Sequence, residues 1–374
     1  MLSLAIPFLV YELTASETWL GLAAVAANAP AIVASPLGGV WADRFSKRGM
    51  MLISLGLQMG LAAGLYVASQ NDVLTLGSLL FFAAATGFAS QLNLSAYQSF
   101  VAEIVPPRQI APAYRLNAIQ FNASRAIGPA IAGFVLAEWG PATAFLINGI
   151  AYLPLFFVLA FIRTRPLDRV PSKKSILHDL AEGARVSWVD RRLRIALVCV
   201  STCSLFGMSI QPLMAAIAKD IFHTDEQGLG LLVSAMGISA VITAVAAVWL
   251  AEEMTRSTMV RVGLVFYGLG MWVVAASDVF AIGLAGFAIA GFAHVLVNVS
   301  VTTSIQVHVS ESLRGRVTSL QLMAIIVSLP LGAQVGGLLA ETIGLAAVVG
   351  LYGTALVLFA AWGTIRLDGL RDLD

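Results

Sequence analysis

Arg125, His294 and Asn298 are polar residues inside long apolar runs, and each brings a defined chemistry there. An unperturbed imidazole titrates near pH 6.5, so His294 suits the uptake and release of a proton. Asn298 follows one turn later on the same helical face. A buried, hydrogen-bonded packing role is the competing reading for His294. Arg125 stays charged at any ordinary pH. In an apolar run it either meets an anionic substrate or a gating carboxylate in a cavity, or it makes a structural ion pair or bonds kinked backbone. Intramembrane charge is costly, which makes such positions functional candidates. A separate group, Gly39, Asp43, Arg44, Lys47 and Arg48, places an acid and a set of cations between two apolar runs, the pattern of a tight charged hinge.

The elements that must position these groups are membrane helices. Apolar residues make up 59% of the chain and charged residues 11%, too little polar surface for a fold of this size in water. A spanning helix needs about 20 apolar residues. Eleven such stretches are expected near 19–42, 50–69, 73–95, 113–137, 142–162, 193–216, 228–250, 258–276, 279–300, 317–340 and 343–365, after an apolar stub over 2–10. All of the 22 Lys and Arg except Arg125 and Lys219 fall on one alternating set of loops, a long connector and the C-terminal tail. By the positive-inside rule those loops are expected in the cytoplasm.

The connector 163–192 contains apolar residues at helical spacing over 175–188, which predicts an amphipathic helix on the membrane face. It divides the chain into an N-terminal bundle, 1–162, and a C-terminal bundle, 193–374. Arg115 to Gln120, Gly128-Pro129 and Glu138 recur, about 200 positions later, as Arg316 to Gln321, Pro330-Leu331-Gly332 and Glu341. Such a repeat places a site at the interface of the halves.

Enzymatic chemistry is disfavoured, and no catalytic residue is assigned. The sequence has no Gly-x-Ser-x-Gly, no Gly-Lys-Ser/Thr phosphate loop and no Cys/His cluster spaced for a metal, so no cofactor or metal is expected. Cys199 and Cys203 read as small buried residues. Net charge is +1, with no basic-aromatic patch, so no nucleic-acid partner is expected.

The hinge resembles the G-x-x-x-D-R/K-x-G-R/K-R/K signature between helices 2 and 3 of the major facilitator superfamily. Gly39, Asp43, Arg44, Lys47 and Arg48 match, and Ser46 replaces a glycine. Ser124 to Gly133 resembles the helix 5 motif of antiporters, with Gly128, Pro129 and Gly133 matching. Val105 to Arg108 and Ser312 to Val317 are similar to stretches of the enterobactin-exporter-like efflux branch. The resemblance implies an all-α membrane fold of two six-helix bundles, here with eleven full spans and a truncated first helix. It also implies that Asp43 holds a neighbouring helix N-terminus, with Arg44 or Arg48 pairing a nearby acid. No Asp or Glu lies deep in a predicted span, whereas helix 1 of this branch commonly carries an acid. The start at Met1 is therefore expected to reflect either a downstream start or a truncated product.

The expected function is proton-coupled export of a small amphipathic molecule, a siderophore or drug-like compound, by a monomer in the bacterial inner membrane. Partners are then the substrate, protons and the bilayer. The alternatives are a lysophospholipid flippase and a non-transporting membrane protein. The amide side chains in the spans, Asn28, Gln91, Asn93, Asn117, Gln120, Asn122, Gln211, Gln321 and Gln334, suggest as a set a wet path with few fixed charges, which favours a neutral or weakly charged, partly apolar substrate.

Overall fold

The computed structural model describes residues 1–44, 46–162, 185, 187–309, 311–366, 370 and 373–374. Among them the chain is helical, with no strand. In a bilayer each backbone N–H and C=O must be satisfied within its own segment, and an apolar helix does that.

The N-terminal half runs α1 (Leu2–Thr14), α2 (Glu17–Arg44), α3 (Lys47–Gln70), α4 (Leu76–Ile104), α5 (Ile110–Ala151) and α6 (Leu153–Phe161). The C-terminal half begins with α7 (Arg191–Thr202) and continues as irregular turns to Ile221. It then runs α8 (Glu226–Glu253), α9 (Arg256–Ala275), α10 (Phe280–His308), α11 (Glu311–Ile343) and α12 (Leu345–Arg366). Side-chain oxygens of Ser46, Thr75, Asp225 and Thr255 accept bonds from N-terminal amides of α3, α4, α8 and α9. These caps start the helices sharply after short loops.

Ten stretches are long and apolar enough to cross a membrane among the described residues. One of them, Ala126–Phe161, has 36 residues, about 54 Å of helix against a hydrocarbon core of about 30 Å. It cannot cross as one rod. The chain turns at Gly140, where φ is 76° and the helix is broken, a backbone region that favours glycine. Pro141 then opens the returning arm. Split there, the ten stretches become the eleven expected spans, and α1 is a 13-residue apolar helix beside them.

The helices alternate, so among the described residues the turns at 15–16, 71–75, 222–225 and 276–279, with Glu17, Asp72, Asp225 and Asp278 in or beside them, lie at one end and the basic loops at the other. Within the first half α2, α3, α4 and α5 pack together, and within the second α8, α9, α10 and α12 do. The halves meet mainly along α2 with α11 and α5 with α8. Buried side chains of α1, among them Ile6, Val10 and Tyr11, join a core shared by both halves. The amphipathic helix expected over 175–188 falls largely on 163–184, outside the described residues.

Candidate functional site

A cavity of about 800 Å³ lies between the halves, lined by α1, α2, α4 and α5 on one side and by α8, α10 and the 203–221 segment on the other. Along α8 it reaches from Leu229 to Ala244. Those positions lie about 5 and about 27 Å from the acidic-loop end at 1.5 Å per residue.

At the acidic-loop end the halves are in direct contact. The Tyr11 hydroxyl donates to the Asp220 carboxylate, and the Ser16 hydroxyl to Glu341. Gln227 Nε2 donates to Glu138 Oε1 at 3.1 Å. Backbones also touch. A methyl group at Gly133 would lie 2.5 Å from the Glu226 carbonyl oxygen and 2.8 Å from Gly230 Cα, and one at Gly337 would fall 2.2 Å from the Glu17 carbonyl oxygen. Small residues let helices approach this closely. At the basic-loop end, the polar contacts among the described residues run within each half.

Those inner contacts fix the hinge. The expected loop over Gly39–Arg48 is mostly helix: α2 continues through Gly39, Asp43 and Arg44, and α3 begins at Lys47. Apolar composition ends where the helix leaves the bilayer, but nothing there stops the helix itself. The side chains of Gly39, Asp43 and Arg44 lie outside the described residues, so the role expected of Asp43 does too. Ser46, standing where the signature has glycine, caps α3 through Gly49 N at 3.1 Å. Lys47 Nζ pairs with Glu103 Oε1 at the end of α4, 3.0 Å apart, the two side chains 16% and 7% exposed. Arg48 takes the terminal carbonyls of α6 instead of an acid, Nε to Leu159 O at 2.6 Å and Nη2 to Ala160 O. Among the described residues the partners of Arg48 are these carbonyls, and the Arg44 side chain lies outside the described residues. A helix C-terminus leaves carbonyls unsatisfied and partially negative, which suits a guanidinium as well as a carboxylate does. The ion pair belongs to Lys47.

The stretch between α8 and α9 does similar work in the second half. Thr255 caps α9, and Arg256 Nη1 donates to Leu373 O at 3.2 Å and Asp374 O at 2.6 Å. The Asp374 carboxylate accepts from Ser257 N at 2.8 Å and Ser257 Oγ at 2.7 Å.

The helix 5 motif lies at the interface. Gly128 and Pro129 line the cavity, and a methyl group at Gly128 would meet open space. Gly133 makes the contact with Gly230 described above, and the Pro129 carbonyl oxygen is 2.8 Å from where a Gly230 methyl group would be. The Arg125 side chain is outside the described residues; its neighbour Ser124 lines the cavity.

His294 and Asn298 both line the cavity from α10. His294 is 9% exposed. Its Nδ1 is 4.0 Å from Cys203 Sγ, and its ring stands edge-on to Tyr267 with centroids 6.2 Å apart. Cys199 and Cys203 are free and buried, as small core residues should be. The segment after α7 changes turn type repeatedly, with π turns over Cys203–Gly207 and Ile217–Ile221 and a 3₁₀ turn over Met208–Leu213. Such departures concentrate where a helix serves a site, and Gln211 and Pro212 line the cavity here. Tyr11, Glu103, Asp220 and Gln227 were not singled out from sequence. Their partners are distant in the chain, and only α-helix offset from a span end hinted at any of them.

Paired helix groups around a cavity closed at one end define a transporter of the major facilitator class. The fold of a crystallised mutant of the nucleoside transporter NupG is similar, with a TM-score of 0.79 at 13% identity, covering 96% of this chain and 93% of that one. That of a D-xylose–proton symporter has a TM-score of 0.74 at 15% identity, covering 99% and 95%. In sequence the chain is 22% identical over 381 residues to the multidrug efflux pump Tap of Mycolicibacterium fortuitum, covering 99% of this chain and 92% of that protein. It is 25% identical over 380 residues to the MFS-type transporter YfiS of Bacillus subtilis, covering 96% and 87%. Residues 1–371 match the family described as transmembrane secretion effector, and the chain belongs to that family of major facilitator transporters. It is a multi-pass membrane transporter and not an enzyme.

Proposed function

We propose that this chain is a secondary active exporter, moving a small amphipathic molecule of siderophore or drug-like type outward by alternating access in exchange for protons. The observation that carries the reading is the cavity between the halves, closed by direct contacts at the acidic-loop end. With the basic loops in the cytoplasm, that cavity faces inward and is ready to load substrate from the cell. The bundles 1–162 and 193–374 then rock about it, joined by the connector 163–192, in a monomer of the bacterial inner membrane.

His294 is the ionisable side chain among the described cavity-lining residues, and it is the candidate proton carrier. Arg125 is the second candidate proton or substrate group, next in sequence to Ser124, which lines the cavity. The name of the Tap relatives supports efflux; the class of cargo rests on the mostly apolar cavity wall.

Everted membrane vesicles test the reading. Energised vesicles holding the protein should accumulate a fluorescent amphiphile, a protonophore should abolish that accumulation, and His294→Gln should keep binding but lose the response to a pH gradient. Accumulation unaffected by the protonophore would overturn proton antiport.

A further inference from the structure

The cavity wall is divided by depth. Near its closed end it is lined by Pro7, Ala23, Ala83, Ala132, Leu229 and Val233. Counted along their helices from the acidic-loop end, these lie within about 12 Å of it at 1.5 Å per residue. The polar lining residues all lie farther in. Asn28 and Thr86 are at about 15 Å, Ser90 and His294 at about 21 Å, Ser124 at about 24 Å, and Asn298 at about 27 Å by the same count. The closed end is therefore an apolar dome, and the hydrogen-bonding groups form a belt below it, interspersed with apolar residues such as Ala240, Val295, Val299 and Leu329.

The belt also has a charge character. Among the described lining residues none is an Asp or Glu. A fixed cation brought to the belt would find amides, hydroxyls and an imidazole, but no counter-charge. Taking an unpaired charge out of water is expensive. A head that exchanges water for neutral donors and acceptors meets no such cost. The Asn28 amide nitrogen already donates to Ala24 O at 2.9 Å, which leaves its oxygen as an acceptor. Ser90 Oγ donates to Gln58 Oε1 at 3.3 Å, which leaves its lone pairs as acceptors. The belt thus suits a head that donates hydrogen bonds, such as a hydroxyl or amide.

We infer that the cavity takes an amphiphile body first, with its apolar body in the dome and a hydrogen-bonding head, free of fixed positive charge, on the belt of Asn28, Ser90, His294 and Asn298. This rests on the transport reading above, and it adds the orientation of the cargo and the selection against quaternary ammonium heads.

The test uses the full chain in phosphatidylcholine nanodiscs and two dansyl amphiphiles with one common body, one headed by an amide-diol and one by trimethylammonium. The amide-diol should bind at least tenfold tighter by dansyl fluorescence. Asn298→Leu and Asn28→Leu should shrink that ratio towards one. Val233→Phe should weaken binding of a body enlarged by one ring while sparing the shorter body, whatever the head.

A diazirine at the tip of the body should label peptides of α8 around Leu229 and Val233, and one on the head should label α10 around His294. Equal or tighter binding of the trimethylammonium compound, reversed labelling, or no labelling above lipid background would overturn the inference. Retained head selectivity without proton-driven accumulation in vesicles would overturn the proton-antiport reading and leave this one standing. Accumulation of the trimethylammonium compound in preference to the amide-diol would do the opposite.

Discussion

Gly133→Ala is the most informative small perturbation this fold offers. The added methyl would sit 2.5 Å from the Glu226 carbonyl oxygen and 2.8 Å from Gly230 Cα. Both neighbours are backbone, so no flexible side chain can turn away. A carbon–oxygen contact near 3.3 Å would require α5 and α8 to part by roughly 0.8 Å. Overpacking of a close contact costs about 1–3 kcal/mol. That penalty applies only while the acidic-loop end is closed, so it shifts the equilibrium between closed and open forms by roughly 5- to 150-fold. Two spin labels flanking that end, one on each half, should report a larger population of long distances by pulsed electron resonance, and transport should fall. Gly128→Ala on the same helix is the control, because its methyl would meet open space. Unchanged distances in Gly133→Ala, or equal effects of the two substitutions, would refute the claim that this contact closes the acidic-loop end.

Lys47 and Glu103 offer a test of the inner clamp. Breaking a buried ion pair costs roughly 3–5 kcal/mol, and the lower end applies because Lys47 keeps some contact with water. Glu103→Gln should lower the Tm of the detergent-solubilised protein, and Lys47→Met combined with Glu103→Met should recover part of that loss. Tyr11→Phe removes the donor to Asp220; a hydrogen bond to a charged acceptor contributes about 1.5–3 kcal/mol. Labelling of a cysteine introduced near Ser16 by a maleimide should therefore speed up in that variant, and an unchanged rate would exclude Tyr11 from the closure at the acidic-loop end.

Much of this architecture can be read from residue types alone. Apolar runs mark the spans because the bilayer demands about 20 such residues per crossing. The turn at Gly140-Pro141 separates two spans in sequence just as it does in space. Hydropathy misleads at Gly39 to Arg44, where polarity returns before the helix ends. It is also blind to the π and 3₁₀ turns of 203–221, since changing the turn type leaves the composition apolar. The candidate site divides the same way. His294 and Asn298 stand out as polar residues in apolar runs, and both line the cavity. The closure does not stand out, because it joins residues such as Tyr11 and Asp220, 209 positions apart, and because a glycine's value at Gly230 depends on a backbone that only the fold brings near.

The two halves carry equivalent clamps, though only one is legible as a motif. In the first, a serine caps α3 and the following Arg48 grips the last carbonyls of α6. In the second, Thr255 caps α9 and the following Arg256 grips carbonyls at the end of the chain, with Leu373 fully buried beneath. Among the described residues the second half has no Lys–Glu pair at this place; there the Asp374 carboxylate accepts from Ser257. Each clamp ties the second helix pair of its half to that half's last segment, so each half is stiffened at its basic-loop end from within. A rigid body of that kind cannot bend to open the cavity. Opening must instead break the contacts between halves at the other end, where hydrogen bonds and glycine approaches stand beside an apolar core shared by both halves. Signature residues and closure residues therefore divide the labour: the former keep each half intact, and the latter set how readily the halves part.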